Sequence, residues 1–139
     1  MEVLRKMIEE GETKFWGFLG CSFIGADNGE IRIGLEAGEQ HTNSMDIIHG
    51  GVLTSLMDQA MGMAATSIRA QAACVTTNLN VHFLSAMHKG KLEVRARVIH
   101  EAGRTITTEA DIRDEKGTLG CMATATFRAL YSSPSKEQA

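Results

Sequence analysis

The chain has 139 residues, of which 22% are charged and 43% hydrophobic, with a formal net charge of −3. That length gives one domain, 1–139, with enough apolar side chains for a single core. Scattered Lys and Arg, without a basic run, argue against nucleic acid as the main partner. No apolar run approaches the ~20 residues that span a bilayer. Met1–Glu10 has neither an apolar core nor a small-residue cleavage site, so no signal peptide is expected. The expected setting is cytoplasmic, away from membranes. Cys21, Cys74 and Cys121 are odd in number and far apart. They form no disulfide framework and no CxxC metal pattern, and read as small hydrophobes in a reducing compartment.

Residues 2–16 read as a short helix, with Val3, Leu4, Met7 and Ile8 along one side. Phe15, Trp16, Phe18 and Leu19, broken by Gly17 and Gly20, form an aromatic cover for one end of the core; residues 1–20 make up this N-terminal section. Ile31, Ile33, Leu35 and Ala37 alternate with polar residues or glycine, as a half-buried strand does. Asp27-Asn28-Gly29 is a turn signal, which makes Cys21–Ala26 the partner strand of a hairpin. Residues 38–48 form a polar loop.

The loop leads into the one long helical stretch in the middle of the chain, 49–68. Leu53, Leu56, Met57, Ala60, Met61, Ala64 and Ile68 follow the rhythm of one helical face. Val52, Met63 and Ala65 extend the apolar character round the helix, which places it inside a larger core. After it the period is two. One set of alternating residues is Val75, Thr77, Leu79, Val81 and Phe83; three further runs cover 92–98, 106–112 and 121–127. Turns are expected at Lys89-Gly90, Ala102-Gly103 and Asp114–Gly117. Four such strands in succession predict an antiparallel meander with one wet face. The tail 132–139 is polar. The result is an α+β domain: a twisted antiparallel sheet of five or six strands curled round one long helix.

Two features of the central helix could do chemistry. Gly50 and Gly51 open it, where backbone N–H groups lack internal partners and the helix dipole is positive. This is a seat for an anion or a polarised carbonyl oxygen. The plainer alternative is that His49 only caps the helix. Asp58 is a full charge near the middle of an apolar helix, and a buried carboxylate is costly unless it is paired or hydrogen-bonded. Thr54, Ser55 and Gly62 lie one turn away and suggest a polar groove beside it. The plainer alternative is a carboxylate facing solvent or bonded to Thr54. Gly50 and Asp58 differ by roughly 12 Å in height along the axis, so one small carbonyl cannot touch both on the same helix. Either they serve separate purposes, or two chains related by a two-fold axis supply one each.

The pattern Asn43-x5-His49-Gly50-Gly51-x6-Asp58, on a loop entering a central helix and followed by a strand meander, resembles the hotdog-fold thioesterases. It is most similar to the PaaI-like acyl-CoA thioesterases of phenylacetic acid degradation, over about Gly38 to Leu130. The resemblance implies a hotdog fold and hydrolysis of acyl-CoA or aryl-CoA thioesters without a metal or redox cofactor. By the same resemblance, Asp58 would be nucleophile or general base, and the Gly50 amide of the other subunit would polarise the thioester carbonyl. His49 would support that end of the site. Asn43 would orient water or thioester, and Thr76 would contact substrate or water near Asp58. Gly103, Arg104 and Thr105 would lie near the phosphates of coenzyme A, with Phe83, Ser85 and Arg128 as further contacts. It also implies homodimers, or dimers paired into homotetramers. The chemistry fits on its own terms: thioester hydrolysis needs a base or nucleophile, an oxyanion donor and a dry pocket. Met57, Met61 and Met63 could line an adaptable channel, or simply fill the core.

The chain departs from the family pattern at three places. Asp46 stands where relatives commonly carry glycine, Ser85-Ala86 lacks a proline often found there, and Gly62 replaces a hydroxyl residue of some relatives. Two other enzyme or binding classes remain open on sequence: a hotdog enoyl-CoA hydratase or dehydratase, and a non-catalytic acyl-CoA binder. Metal binding by His41, His49 and Asp58 matches no familiar ligand spacing.

Overall fold

The helix read at 49–68 forms the axis of the molecule as α3 (Gly50–Ser67). Leu56, Met57, Ala60, Met61, Ala64 and Ala65 on it are wholly buried. The computed structural model describes residues 2–69 and 72–130, so the predicted polar tail 132–139 lies outside the described residues. Before α3 come α1 (Glu2–Gly11), α2 (Phe15–Leu19), β1 (Cys21–Asp27) and β2 (Glu30–Ala37), then a single 3-10 turn at Glu39–His41. After it come β3 (Cys74–Phe83), β4 (Gly90–Ala102), β5 (Thr105–Asp114) and β6 (Leu119–Ala129).

The described strands form one antiparallel sheet of six in the order β1-β2-β4-β5-β6-β3. Its inner face, including Ile33, Val94, Ile112 and Phe127, packs on α3 as one apolar core. This is the expected sheet round a helix. The β1–β2 hairpin turns at Asn28 and Gly29, both at positive φ (53° and 79°), as a two-residue turn of the right hand requires.

The meander is shorter than expected. Of the four strands after α3, only β4, β5 and β6 are consecutive neighbours; β3 pairs with β6, and β4 with β2. Residues 84–89 are therefore a crossing, not a hairpin turn. The crossing is pinned to β6: the amides of Leu84 and Ser85 both donate to the Gly120 carbonyl, and Met87 accepts from the Ile48 amide. Met87 itself is 3% exposed and occupies the space a side chain at Gly120 would fill, with a Cβ built there only 2.1 Å from its sulfur.

The N-terminal section also differs. The predicted helix 2–16 is two helices, separated at residues 12–14. A side chain at Gly17 would lie 1.9 Å from the Glu12 carbonyl oxygen, so the chain closes on itself there only because residue 17 is glycine. Trp16 and Leu19 are buried as expected, but Phe15 is half exposed and Phe18 is 83% exposed.

Candidate active site

Strand β3 runs back along α3. Its start, Cys74, follows the helix C-terminus, and its end, Phe83, lies over the helix N-terminus. There the Phe83 ring comes within 3.2 Å of where a Cβ at Gly50 would stand. The alternation expected for this strand put Val75 and Thr77 on one face with Leu79, and Thr76 on the other. The register shows otherwise: Thr76 pairs with Phe127 and Asn78 with Thr126, leaving Thr77 as an extra, bulged residue. Cross-strand partners share a face, so Thr76 points inward with Phe127, while Val75 points outward with Arg128. A bulge re-aims a side chain in this way.

The re-aimed side chain meets the helix. Thr76 Oγ1 donates to Asp58 Oδ1 at 2.7 Å. Asp58 is half-buried, and among the described residues no cation pairs with it. The groove read from Thr54, Ser55 and Gly62 is not what surrounds it. Thr54 Oγ1 donates to the Gly50 carbonyl and Ser55 Oγ to the Gly51 carbonyl. Both hydroxyls thus bond one turn back along their own helix. Gly62 packs against the Phe127 ring. The hydroxyl beside Asp58 comes from the strand.

At the other end of α3, His49 is the N-cap and its Nδ1 accepts from the Gly51 amide at 2.8 Å. The His49 carbonyl accepts from Val52 and Leu53. These three bonds satisfy the neighbouring amides and leave the Gly50 N–H without an acceptor among the described residues. His49 therefore caps the helix, and by doing so singles out one free donor. Asn43 organises the loop before it. Its Oδ1 accepts from the amides of Met45 and Ile47 at 2.9 and 3.4 Å. Asn43, Gly50, Leu53, Phe83 and Ser85 line one open cavity of about 350 Å³. The Ser85 hydroxyl is engaged with the Leu119 carbonyl.

Asp46, in the loop before His49, has φ of 63°, a conformation that glycine adopts freely and Asp tolerates. Lys89 stands 3.8 Å from its carboxylate and 2.8 Å from Glu39. Its ammonium is held protonated above its usual range, first by the Glu39 hydrogen bond and then by the Asp46 charge. The added negative charge in the loop thus has a local counter-ion.

The remaining candidates sit at the far end of β3. Gly103 makes the β4–β5 turn at φ 60°. Arg69, just beyond the end of α3, donates to the Gly103 carbonyl and pairs with Glu101. Thr105 is the cross-strand partner of Arg128, and Arg104 is exposed between them and the turn. One chain thus holds two separated groups: Asn43, His49, Gly50, Phe83 and Ser85 at one end, and Asp58, Thr76, Gly103, Arg104, Thr105 and Arg128 towards the other. Metal binding finds no support in this arrangement. His41 is engaged through both ring nitrogens, and among the described residues no group of three ligating side chains converges.

His41, weighed on sequence only as a metal ligand, has a structural part beside the site. It is 4% exposed. Its Nδ1 accepts from the Gly38 amide at 2.9 Å and its Nε2 bonds the Leu19 carbonyl at 2.8 Å. Its own carbonyl accepts from the His49 amide at 2.8 Å. It ties α2 to the loop that ends in the helix cap.

The sequence pattern of the thioesterase superfamily matches residues 45–121, more than half of the chain. The chain belongs to the thioesterase superfamily. It is a thioester hydrolase of hotdog fold. This thioesterase is similar to a "Putative esterase" of Saccharolobus solfataricus, with 29% identity covering 94% of this chain and 95% of the relative. It is 24% identical to human acyl-coenzyme A thioesterase 13, over 82% of this chain and 81% of that protein. In fold it is similar to the Escherichia coli PaaI protein from the phenylacetic acid degradation operon. That structure superposes with a TM-score of 0.86 at 22% identity, covering 95% of this chain and 94% of that one.

Proposed function

We propose that the thioesterase hydrolyses acyl-CoA or aryl-CoA thioesters in a two-fold dimer built on β3, each active site drawing residues from both chains. The observation that carries this reading is the edge strand itself. Edge strands are normally blunted by charge, proline or shortness. β3 has ten residues, CVTTNLNVHF, with neither proline nor an Asp, Glu, Lys or Arg. Val75 and Phe83 on it are 42% and 56% exposed. A two-fold axis at Asn80 pairs Leu79 with the partner's Val81 and Asn78 with the partner's His82, face matched to face. The extra residue at Thr77 then brings Thr76 opposite the partner's Phe83. Asp58, bonded to Thr76, so meets the partner's Gly50, which lies beneath that phenyl ring. The two separated groups of one chain become two complete sites in the pair.

In each site the thioester carbonyl oxygen accepts from the free Gly50 amide, where negative charge builds as the carbonyl is attacked. Asp58 of the other chain supplies the attacking carboxylate or draws a proton from the attacking water, and Thr76 holds its carboxylate in place. Asn43 orients the reacting group beside Gly50, and Arg104 and Arg128 lie towards the coenzyme A phosphates. The dimer is the least unit with a whole site, and dimers paired into tetramers would repeat it. No described helix is long and apolar enough to cross a membrane, and three unpaired cysteines suit a reducing cytoplasm.

Complementation tests the shared site. Gly50→Pro deletes the free N–H at the first helical position, where proline is well accepted. His49 already has φ −60° and ψ 134°, which suits a residue before proline. Gly50→Pro and Asp58→Asn homodimers should each be inactive. Unfolded and refolded together in equal amounts, they should regain about a quarter of wild-type thiol release, because half of the dimers hold one intact site. No recovery despite mixed dimers would place both groups' work within one chain and end the proposal.

A further inference from the structure

A cavity of about 170 Å³ lies between the N-terminal helices and the outer side of α3, its lining including Met7, Lys14, Phe15, Trp16, Gln59 and Met63. Nothing in the thioester chemistry above uses it. Its position is informative. Gln59 follows Asp58 directly, and Met63 is one helical turn beyond Gln59 on the same stripe. The α3 wall of the cavity is therefore the next face of the helix round from the carboxylate. Its lining is soft, with two methionines that can re-pack round different shapes. Trp16 is 5% exposed, and its Nε1 finds no hydrogen-bond partner, although a buried indole N–H usually does. The rim residue Phe15 is half exposed, and Met7 is 37% exposed.

We infer that this cavity seats the acyl group of the thioester, and that helices α1 and α2 form a specificity cap over it. The inference rests on the proposed role of Asp58. With the thioester carbonyl held at Asp58, an acyl chain that turns round α3 past Gln59 enters under α1. The volume sets the class. At about 170 Å³ the cavity is small beside the roughly 300–1,000 Å³ of pockets that hold drug-sized ligands. The occupant is a compact, mainly apolar acyl group, not a long fatty chain. Selection is steric: the floor is the wholly packed core side of Trp16 and Met63, and the mouth is bounded by Phe15 and Met7.

The test is a chain-length profile with acetyl-, hexanoyl- and decanoyl-CoA, measured as kcat/KM for wild type and two variants. Wild type should favour hexanoyl-CoA over both others. Gln59→Trp fills the cavity from its outer side and should lower the hexanoyl-to-acetyl ratio about tenfold, since one methylene's worth of fit in an apolar pocket carries that much discrimination. The double variant Met7→Ala, Phe15→Ala opens the mouth and should move the preference towards decanoyl-CoA. Unchanged ratios in both variants, with wild-type turnover intact, would overturn the acyl-pocket assignment and leave the thioesterase reading standing. If wild type releases thiol from none of the three, it is the underlying reading that fails.

Discussion

Replacing Thr76 with valine removes one hydroxyl and little else. The shape is kept, and a β-branched side chain remains in a strand. What is lost is the bond from Oγ1 to Asp58 Oδ1 at 2.7 Å. Hydrogen bonds to charged groups contribute about 1.5–3 kcal/mol. Thr76 is exposed and Asp58 half-buried in the single chain, so water competes and the lower end applies. A loss of about 1.4 kcal/mol in transition-state stabilisation is tenfold in rate. The expected result of Thr76→Val is therefore a fall of about tenfold in kcat for thiol release from an acyl-CoA, with KM little changed, since Thr76 acts on the carboxylate rather than on bound substrate. Stability should fall by no more than about 1.5 kcal/mol, the lower end of the same range, because no core contact is removed. Thr76→Ser keeps the hydroxyl and should restore most of the rate. Wild-type kcat in the valine variant, or a serine variant as impaired as valine, would show that the Thr76–Asp58 bond has no part in turnover.

Three further outcomes follow from the scaffold. His41→Ala leaves the Leu19 carbonyl and the Gly38 amide without their partner and opens a void, and should cost about 2–4 kcal/mol in urea-unfolding stability; an unchanged midpoint would refute the tie between α2 and the cap loop. Gly120→Ala should displace Met87, whose sulfur stands 2.1 Å from the new Cβ, costing about 1–3 kcal/mol. Added to Met87→Ala it should cost far less, and full additivity would contradict the contact. Burial pushes the Cys21 thiol up to about 11 and the Cys121 thiol up to about 12, against an ordinary value of 9.0. The folded state therefore holds those protons after the unfolded chain has released them. Their stabilising contribution is whole below pH 9 and falls from there to about pH 11 for Cys21 and about pH 12 for Cys121, at about 1.4 kcal/mol per pH unit for each thiol. Urea midpoints across that range should fall less steeply in a Cys21→Ala, Cys121→Ala variant.

The helix, the hairpin and most strand faces were legible because each is written in local periodicity. α3 could be read from its apolar spacing, and the inward sets of β4, β5 and β6 from strict alternation. The order of strands was not legible. The Lys89-Gly90 turn signal marks the start of β4, while the path from β3 is decided by long-range bonds from Leu84 and Ser85 to Gly120. Residues of the candidate site could be picked out by their chemistry, but not their arrangement within the chain. Asp58 and Gly50 stood out by chemistry, and their spacing already demanded either separate roles or two chains. Helical proximity suggests a polar groove of Thr54, Ser55 and Gly62 beside Asp58, whereas both hydroxyls bond back along the helix. By alternation alone Thr76 faced away from α3. A single inserted residue, Thr77, reverses that. A bulge leaves no composition signal in CVTTNLNVHF, since threonine fits a strand with or without it. The same bulge, invisible in the sequence, decides the local bond to Asp58, and in the proposed dimer it also sets where Thr76 falls against the partner strand.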